Sequence, residues 1–335
     1  MTKRFITLDA MRGVAALAVV YEHSKHAFGG PDLHFADLAV DFFFALSGFV
    51  LAHTYDPRFE RGLSAFAFMR QRAVRLYPLF ALGLVTGALV SIFVGSPSPA
   101  FSNLLLLPAG PGKSLFPGDD PAWSLFFKFW VANLAWAVFW RQLRGRMLSA
   151  LLAASGAVLL AIMLATNTSG TGWEWGEIGM GSARVTFSFF LGVWLSRRYR
   201  VAPPRIVLPP GLSLGALAVL FANKVPEFLV APWLIASVFI AIPVLVYYSA
   251  EAIEERPSLL STLGNASYAV YATHWAPLVL VSFLLSGVPL RVAGTVGYVI
   301  LAGLGAVALD RFYDRPLSAW LKGRNSPQKL HVGAS

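Results

Sequence analysis

The chain has 335 residues, 56% of them hydrophobic and only 13% charged, with a mean hydropathy of +0.62. That composition excludes a soluble globular domain and describes a polytopic membrane protein. The net charge of +10 comes without a basic aromatic module, which argues against a nucleic-acid partner, and the absence of cysteine excludes disulfides, thiolate nucleophiles and thiolate metal sites. His and carboxylate residues show no HxxxH or HExxH spacing, so no metal site is expected.

About ten apolar stretches follow one another, near 9–28, 37–55, 75–95, 123–140, 147–166, 183–197, 207–223, 229–249, 265–285 and 291–310. The fold expected is therefore all-α, a polytopic helix bundle of about ten transmembrane helices. Most of the 27 Lys and Arg fall on one side of that pattern, at 3–4, 58–75, 141–146, 197–205 and 311–329. Lys25, Lys113, Arg184, Lys224 and Arg291 fall on the other. This positive-inside bias places both termini in the cytoplasm. A single membrane domain spans 1–320, followed by a short basic cytoplasmic tail at 321–335. Asp9 and Arg12 interrupt the first apolar stretch, so a cleavable signal peptide is not expected.

In the first span, Arg12 and His23 are eleven residues apart. At 100° per residue they share a helix face, about 16 Å apart along the axis. Asp9 and His26 fall near the same stripe. Ionisable groups inside a span are costly, so each marks a functional-site hypothesis. A neutral imidazole in the outer half of the membrane can act as a general base towards a hydroxyl. The plainer reading is a histidine that hydrogen-bonds neighbouring helices together. Asp41, near the outer end of the second span, is placed to orient His23 and stabilise its imidazolium. Ser47 and Gly48 read as packing residues, since no GxSxG elbow surrounds Ser47.

Arg70, Arg72 and Arg75 cluster where the third span begins, and Arg72 and Arg75 are i,i+3 neighbours, followed by Tyr77–Pro78. Guanidinium forks suit phosphates, although ordinary cytoplasmic anchoring explains many such clusters. The connection at 96–123 is rich in Pro and Gly and too broken for a regular helix throughout. The connection at 166–183 carries Trp173, Glu174, Trp175 and Glu177, a set that suits sugar stacking and equally suits an interfacial aromatic belt. In the ninth span, Ser267, Tyr271 and His274 lie on one face, with His274 near mid-membrane as a second possible base. An interhelical hydrogen-bonding stripe accounts for the same spacing.

RFITLDAMRGVAALAVVYEH, AVDFFFALSGFVL, RQRAVRLYP, PAWSL and SYAVYATHW, in that order, resemble the acyltransferase 3 family of bacterial membrane proteins across about residues 4–320. The resemblance implies transfer of an acyl group, often acetyl, from cytoplasmic acyl-CoA to a hydroxyl of an extracytoplasmic carbohydrate or glycolipid, at a bacterial inner membrane. Acyl-CoA is then a co-substrate, with no tightly bound cofactor. The resemblance implies His23 and Arg12 as essential, and Arg72 and Arg75, with Arg70 and Tyr77 beside them, on the acyl-CoA side. Trp123, Ser124, Lys128, Trp173, Glu174, Tyr271 and His274 form the expected substrate-binding set. Two positions depart from the family pattern: Ala39 stands where Gly is frequent, and Lys128 where Glu is usual. Reversing a buried charge can leave a partner cation unpaired, which suggests impaired activity, altered specificity or compensation elsewhere; a Lys at 128 can also snorkel outward. The competing reading of the ionisable residues is a transporter with an Arg/His relay. Acceptor identity, chain length of the acyl group and oligomeric state are not legible.

Overall fold

The computed structural model describes residues 3–323 apart from residues 113, 169 and 255–257. Beyond its first three residues the expected basic tail lies outside the described residues. Apolar runs with few interior breakers become helices: α1 (Ile6–Phe28), α2 (Leu38–Glu60), α3 (Ala65–Val94), α4 (Asp120–Phe139), α5 (Gly145–Thr166), α6 (Trp175–Val201), α7 (Pro210–Ala222), α8 (Glu227–Tyr248), α9 (Leu259–Thr273), α10 (Trp275–Leu284) and α11 (Arg291–Leu321). Among the described residues, β structure is limited to a two-residue antiparallel pairing of Lys3–Arg4 with Ile253–Glu254 and an isolated bridge between Ser114 and Glu174.

Seven of these helices are long and apolar enough to cross a membrane, and the bent pair α9–α10 brings the number to eight. Two of the ten expected spans fall short of that measure for definite reasons. α1 is long enough at 23 residues but carries Asp9, Arg12, Glu22 and Lys25. α7 has 13 residues, about 20 Å of helix against a hydrocarbon core of about 30 Å. α1 nevertheless lies inside the bundle, packed on α9, α11, α7 and α2, so its charges face protein.

Three boundaries differ from the hydropathy pattern. α3 begins at Ala65, ten residues ahead of the apolar run, because Ser64 caps it by accepting from the Ala67 N–H at 3.1 Å. Arg70, Arg72 and Arg75 therefore stand on helix turns rather than in a loop. The expected span at 265–285 is broken by 60° between Thr273 and Trp275. Pro277 has no N–H to give the Thr273 carbonyl and its ring would strike that carbonyl, so α9 stops and His274 sits at the break. In α4, residues Phe127–Asn133 widen into a π-helix, a form frequent at functional sites. The 96–123 connection folds back along α3: the Tyr77 hydroxyl donates to the Leu104 carbonyl and Trp130 Nε1 donates to the Leu105 carbonyl at 3.2 Å.

Small residues bring the central helices into backbone contact. A Cβ on Gly48 of α2 would collide with the Phe189 carbonyl of α6, and one on Gly192 of α6 with the Ala45 carbonyl of α2. Helices in lipid associate through such close approach. α1 and α9 meet similarly: a Cβ on Gly264 would lie 2.6 Å from the Asp9 Cβ. Gly305, by contrast, has nothing within 4 Å of its would-be Cβ. We expect Gly48→Val or Gly192→Val to destabilise the detergent-solubilised protein by about 1–3 kcal/mol or more, as overpacking does. Gly305→Ala should leave the thermal unfolding midpoint unchanged, and equal midpoints for all three variants would contradict this packing.

Candidate active site

α1 carries ionisable side chains towards both ends. Towards its C-terminal end, His23 Nδ1 lies 2.8 Å from His274 Nε2, with the two rings 12° from parallel. His274 reaches this position because it occupies the α9–α10 break. Its Nδ1 is 2.9 Å from the Tyr271 carbonyl oxygen and 3.1 Å from that of Val270. Carbonyl oxygens only accept, so His274 Nδ1 carries a proton. With both rings neutral, His274 Nε2 then accepts from the His23 Nδ1–H, and His23 Nε2 is left without a proton. Trp275 closes edge-on against the His23 ring at 5.1 Å. The Tyr298 hydroxyl donates to the His274 carbonyl, fixing the break from α11.

His23 lines a cavity of about 370 Å³ together with Glu22, His26, Asp37, Asp120, Trp123, Trp173, Tyr271, Trp275 and Arg184. Glu22 Oε1 is held by Lys25 at 2.7 Å, whereas Glu22 Oε2 is buried without a hydrogen-bond partner. Just ahead of α2, burial pushes the Asp37 carboxyl above the usual carboxylate range, a shift that Arg184 partly opposes. Asp119, in the connection before α4, is pushed up to about 8 by burial and secondarily by Asp120. Carboxyl groups set among indole rings are a surface that takes a polyhydroxylated ligand: oxygens meet the hydroxyls, and rings cover the C–H faces.

Asp41 does not orient His23. It is fully buried and paired with Arg184 Nη2 at 2.8 Å, with Ser188 Oγ 3.3 Å away. Arg184 also donates to the Thr171 carbonyl at 2.7 Å and lies over the Trp123 ring. α2 and α6 are in backbone contact, so a carboxylate at 41 meets the guanidinium before any ring on α1. The pair braces one wall of the cavity, and the partner expected in Asp41 is supplied to His23 by His274.

Ser124 and Tyr271 share a hydrogen bond of 2.7 Å, and the Tyr271 hydroxyl also reaches the Pro121 carbonyl at 3.0 Å. Trp123, Trp173 and Tyr271 line the cavity, but Ser124 stands behind it, and Glu174 lies outside the lining, paired by backbone with Ser114. The sequence reading does not anticipate Glu22, Asp37, Asp120, Arg184 or Trp275 in this lining. Glu22 adjoins His23, Asp37 stands one helical turn before Asp41, and Trp275 follows His274; those spacings are the available signal.

At the N-terminal end of α1, Arg12 donates from Nε to Ser267 Oγ at 2.7 Å and from Nη2 to the Gly264 carbonyl at 2.7 Å, with Asp9 at 3.2 Å. It lines a cavity of about 750 Å³ with Arg4, Asp9, His53, Arg75, Asp310, Asp314 and Arg315. A neighbouring cavity of about 600 Å³ is lined by Arg58, Arg70, Gln71, Arg72 and again Arg75. Arg75 is thus shared by both, tethered to Asp314 at 2.5 Å. Arg72 Nε is buried without a partner. Tyr77 departs from the arginine cluster: it lines neither cavity and is turned to the 96–123 connection by its bond to Leu104. Two residues along a helix amount to a rotation of about 200°, which is why Tyr77 and Arg75 part company. Lys128 does not snorkel to the far surface; its electrostatic neighbours are Arg72, Arg12 and Arg75.

The acyltransferase domain family model matches residues 5–311. Protein 2 in the picA locus of Rhizobium radiobacter is 38% identical over 182 residues, covering 47% of this chain and 94% of the relative. Acyltransferase MdmB of Streptomyces mycarofaciens is 26% identical over 311 residues, covering 81% and 78%. Exopolysaccharide production protein ExoZ of Rhizobium meliloti (strain 1021) is 27% identical over 297 residues, covering 83% and 88%. No solved structure matches the chain.

Breaking the Asp41–Arg184 pair from one side leaves a buried charge uncompensated, which costs about 3–5 kcal/mol. Asp41→Ala should therefore lower the unfolding midpoint sharply, and Asp41→Leu combined with Arg184→Met should recover much of the loss. A double variant no more stable than Asp41→Ala would contradict the pairing.

Proposed function

The chain belongs to the acyltransferase domain family, and on that premise we propose that it moves an acyl group from cytoplasmic acyl-CoA to a hydroxyl of an extracytoplasmic carbohydrate or glycolipid, with His23 as general base. It is an acyltransferase with several membrane-crossing helices. The observation that carries the finer reading is the bare Nε2 of His23 on a carboxylate- and indole-lined cavity, while cationic cavities lie at the other end of the same helix. The relative named for exopolysaccharide production supports a carbohydrate acceptor.

In this reading the arginine-lined cavities open to the cytoplasm, with ten crossings once α1 and α7 are counted and both termini inside. Arg70, Arg72 and Arg75 hold the CoA phosphates, and Arg12 guides the donor from below. The pantetheine arm passes between the helices towards His23. The acceptor hydroxyl enters from the opposite side, against Glu22, Asp37 and the indoles of Trp123 and Trp173. His23 Nε2 takes the hydroxyl proton as the oxygen attacks the thioester carbonyl. The new imidazolium is held through its Nδ1–H by His274 Nε2, the role Asp fills in a triad. The carbon–sulfur bond then breaks, and the leaving thiolate receives the proton from His23. The ester and CoA are the products.

His23→Ala should lower CoA release in lipid about 10²–10⁴-fold, the usual scale of general-base catalysis. His274→Gln, whose amide oxygen can still accept from His23 Nδ1–H, should lose less than His274→Ala. Full activity in His23→Ala would remove the base from this position. Sidedness has its own test, because the chain lacks cysteine. Ser149→Cys should react with impermeant maleimide only after the cytoplasmic face is opened, and Ser96→Cys in sealed, right-side-out vesicles; the reverse pattern would invert the topology.

A further inference from the structure

The C-terminal end of α2 stands between three cavities. His53 and Thr54 line the Arg12 cavity, and Tyr55 and Arg58 line the Arg72 cavity. Asp56 and Glu60, one helical turn apart on a third face, line a cavity of about 470 Å³ against α5 and α6. This third cavity shares no lining residue with the other two. Four arginines enter it, Arg144 from just ahead of α5 and Arg197, Arg198 and Arg200 from the end of α6.

These four guanidiniums face two carboxylates. Asp56 is buried and takes Arg197 in a two-pronged bond, from Nε to Oδ2 at 2.8 Å and from Nη2 to Oδ1 at 3.1 Å. Arg200 lies 3.8 Å from the same carboxylate and donates to the Ala52 carbonyl. Arg144 pairs with Glu60 at 2.9 Å and covers the Trp140 ring. Arg198 has no carboxylate partner among the described residues. The cavity therefore carries surplus positive charge on a wall that its own ion pairs hold in place. Guanidinium forks match the oxygens of a phosphate. The first turn of α5, which no side chain caps, opens on the same space through Gly145 and Ser149, and a helix start favours an anion as well.

The rest of the wall says what that phosphate is attached to. Leu148, Trp194 and Val201 line the cavity beside the arginines. Trp194 and Val201 are exposed, as is the neighbouring Met147. α5 continues from there with most of its apolar surface outside the bundle. A soluble phosphate would use the arginines alone, whereas a phospholipid uses both surfaces. Its head lies among the guanidiniums and its chains lie along α5, with the Trp194 indole at the interfacial level that Trp favours. We propose that this cavity binds the phosphodiester head of an anionic membrane lipid, for which phosphatidylglycerol is the probe. Basic pockets between spans recognise lipid heads in this way. The site is separate from the acyl-transfer chemistry, and its occupancy does not depend on that reading.

The test titrates the purified full chain, in uncharged detergent, with phosphatidylglycerol, with phosphatidylcholine of the same chains, and with glycerol 3-phosphate, reading bound ligand by native mass spectrometry. The expected result is a preference of about tenfold or more for phosphatidylglycerol over phosphatidylcholine, the scale of one charge-assisted hydrogen bond. Arg198→Gln should weaken phosphatidylglycerol about fivefold, the scale of one basic residue at an anionic membrane surface, and leave phosphatidylcholine unchanged. Arg198 makes no ion pair in the fold, so this variant should keep the unfolding midpoint of the unsubstituted protein. Arg146→Gln removes the same charge from an exposed position in the first turn of α5 that does not line the cavity, and it should bind phosphatidylglycerol as the unsubstituted protein does. Absent phosphatidylglycerol binding, or equal affinity for the two lipids, overturns the proposal. So do equal losses in Arg146→Gln and Arg198→Gln, which would assign the preference to diffuse surface charge. Glycerol 3-phosphate bound as tightly as phosphatidylglycerol would make the ligand a soluble phosphate and remove the lipid from the site.

Discussion

A histidine placed at a helix break organises this molecule. Pro277 cannot continue α9, so the chain turns by 60° and exposes carbonyls that a straight helix would have used. The His274 ring takes up two of these carbonyls, those of Val270 and Tyr271, through a single ring nitrogen. That bond fixes the tautomer of His274, which fixes that of His23. The basicity of one nitrogen on α1 thus depends on a backbone defect in another helix. The Tyr298 hydroxyl on α11 and the Ser124–Tyr271 bond from α4 hold the same defect from two further directions. Four helices converge there, and three of them, α1, α4 and α9, also supply side chains to the wall of the His23 cavity.

The second organising constraint is charge in a medium that does not tolerate it. The structure places most ionisable groups at the ends of the bundle and pairs those that lie inside. Arg184 and Asp41 neutralise each other where α2 and α6 touch. Arg12 is satisfied by a hydroxyl, a carbonyl and a carboxylate at once. Against this background the unmatched groups stand out. Arg72 Nε, at the arginine-lined end, is buried without an acceptor, and Glu22 Oε2, in the His23 cavity, is buried without a donor. The mismatch has the polarity a two-substrate transferase needs: surplus cation where a phosphorylated donor would lie, surplus acceptor where hydroxyls would.

Helical periodicity made part of this legible in the sequence. Arg12 and His23 share a stripe because eleven residues close three turns, and Ser267, Tyr271 and His274 share another because their spacing is four and three. Such local arithmetic survives folding. What was not legible depends on contacts between helices. Asp41 and His23 look suited by depth, yet the glycine contacts of α2 with α6 hand Asp41 to Arg184. Tyr77 follows Arg75 closely in sequence but turns to a connection whose fold-back no hydropathy plot contains. The span at 265–285 reads as continuous because its residues are apolar throughout; only Pro277 marks the break, and a single Pro within a span ordinarily produces a kink that neighbouring helices absorb.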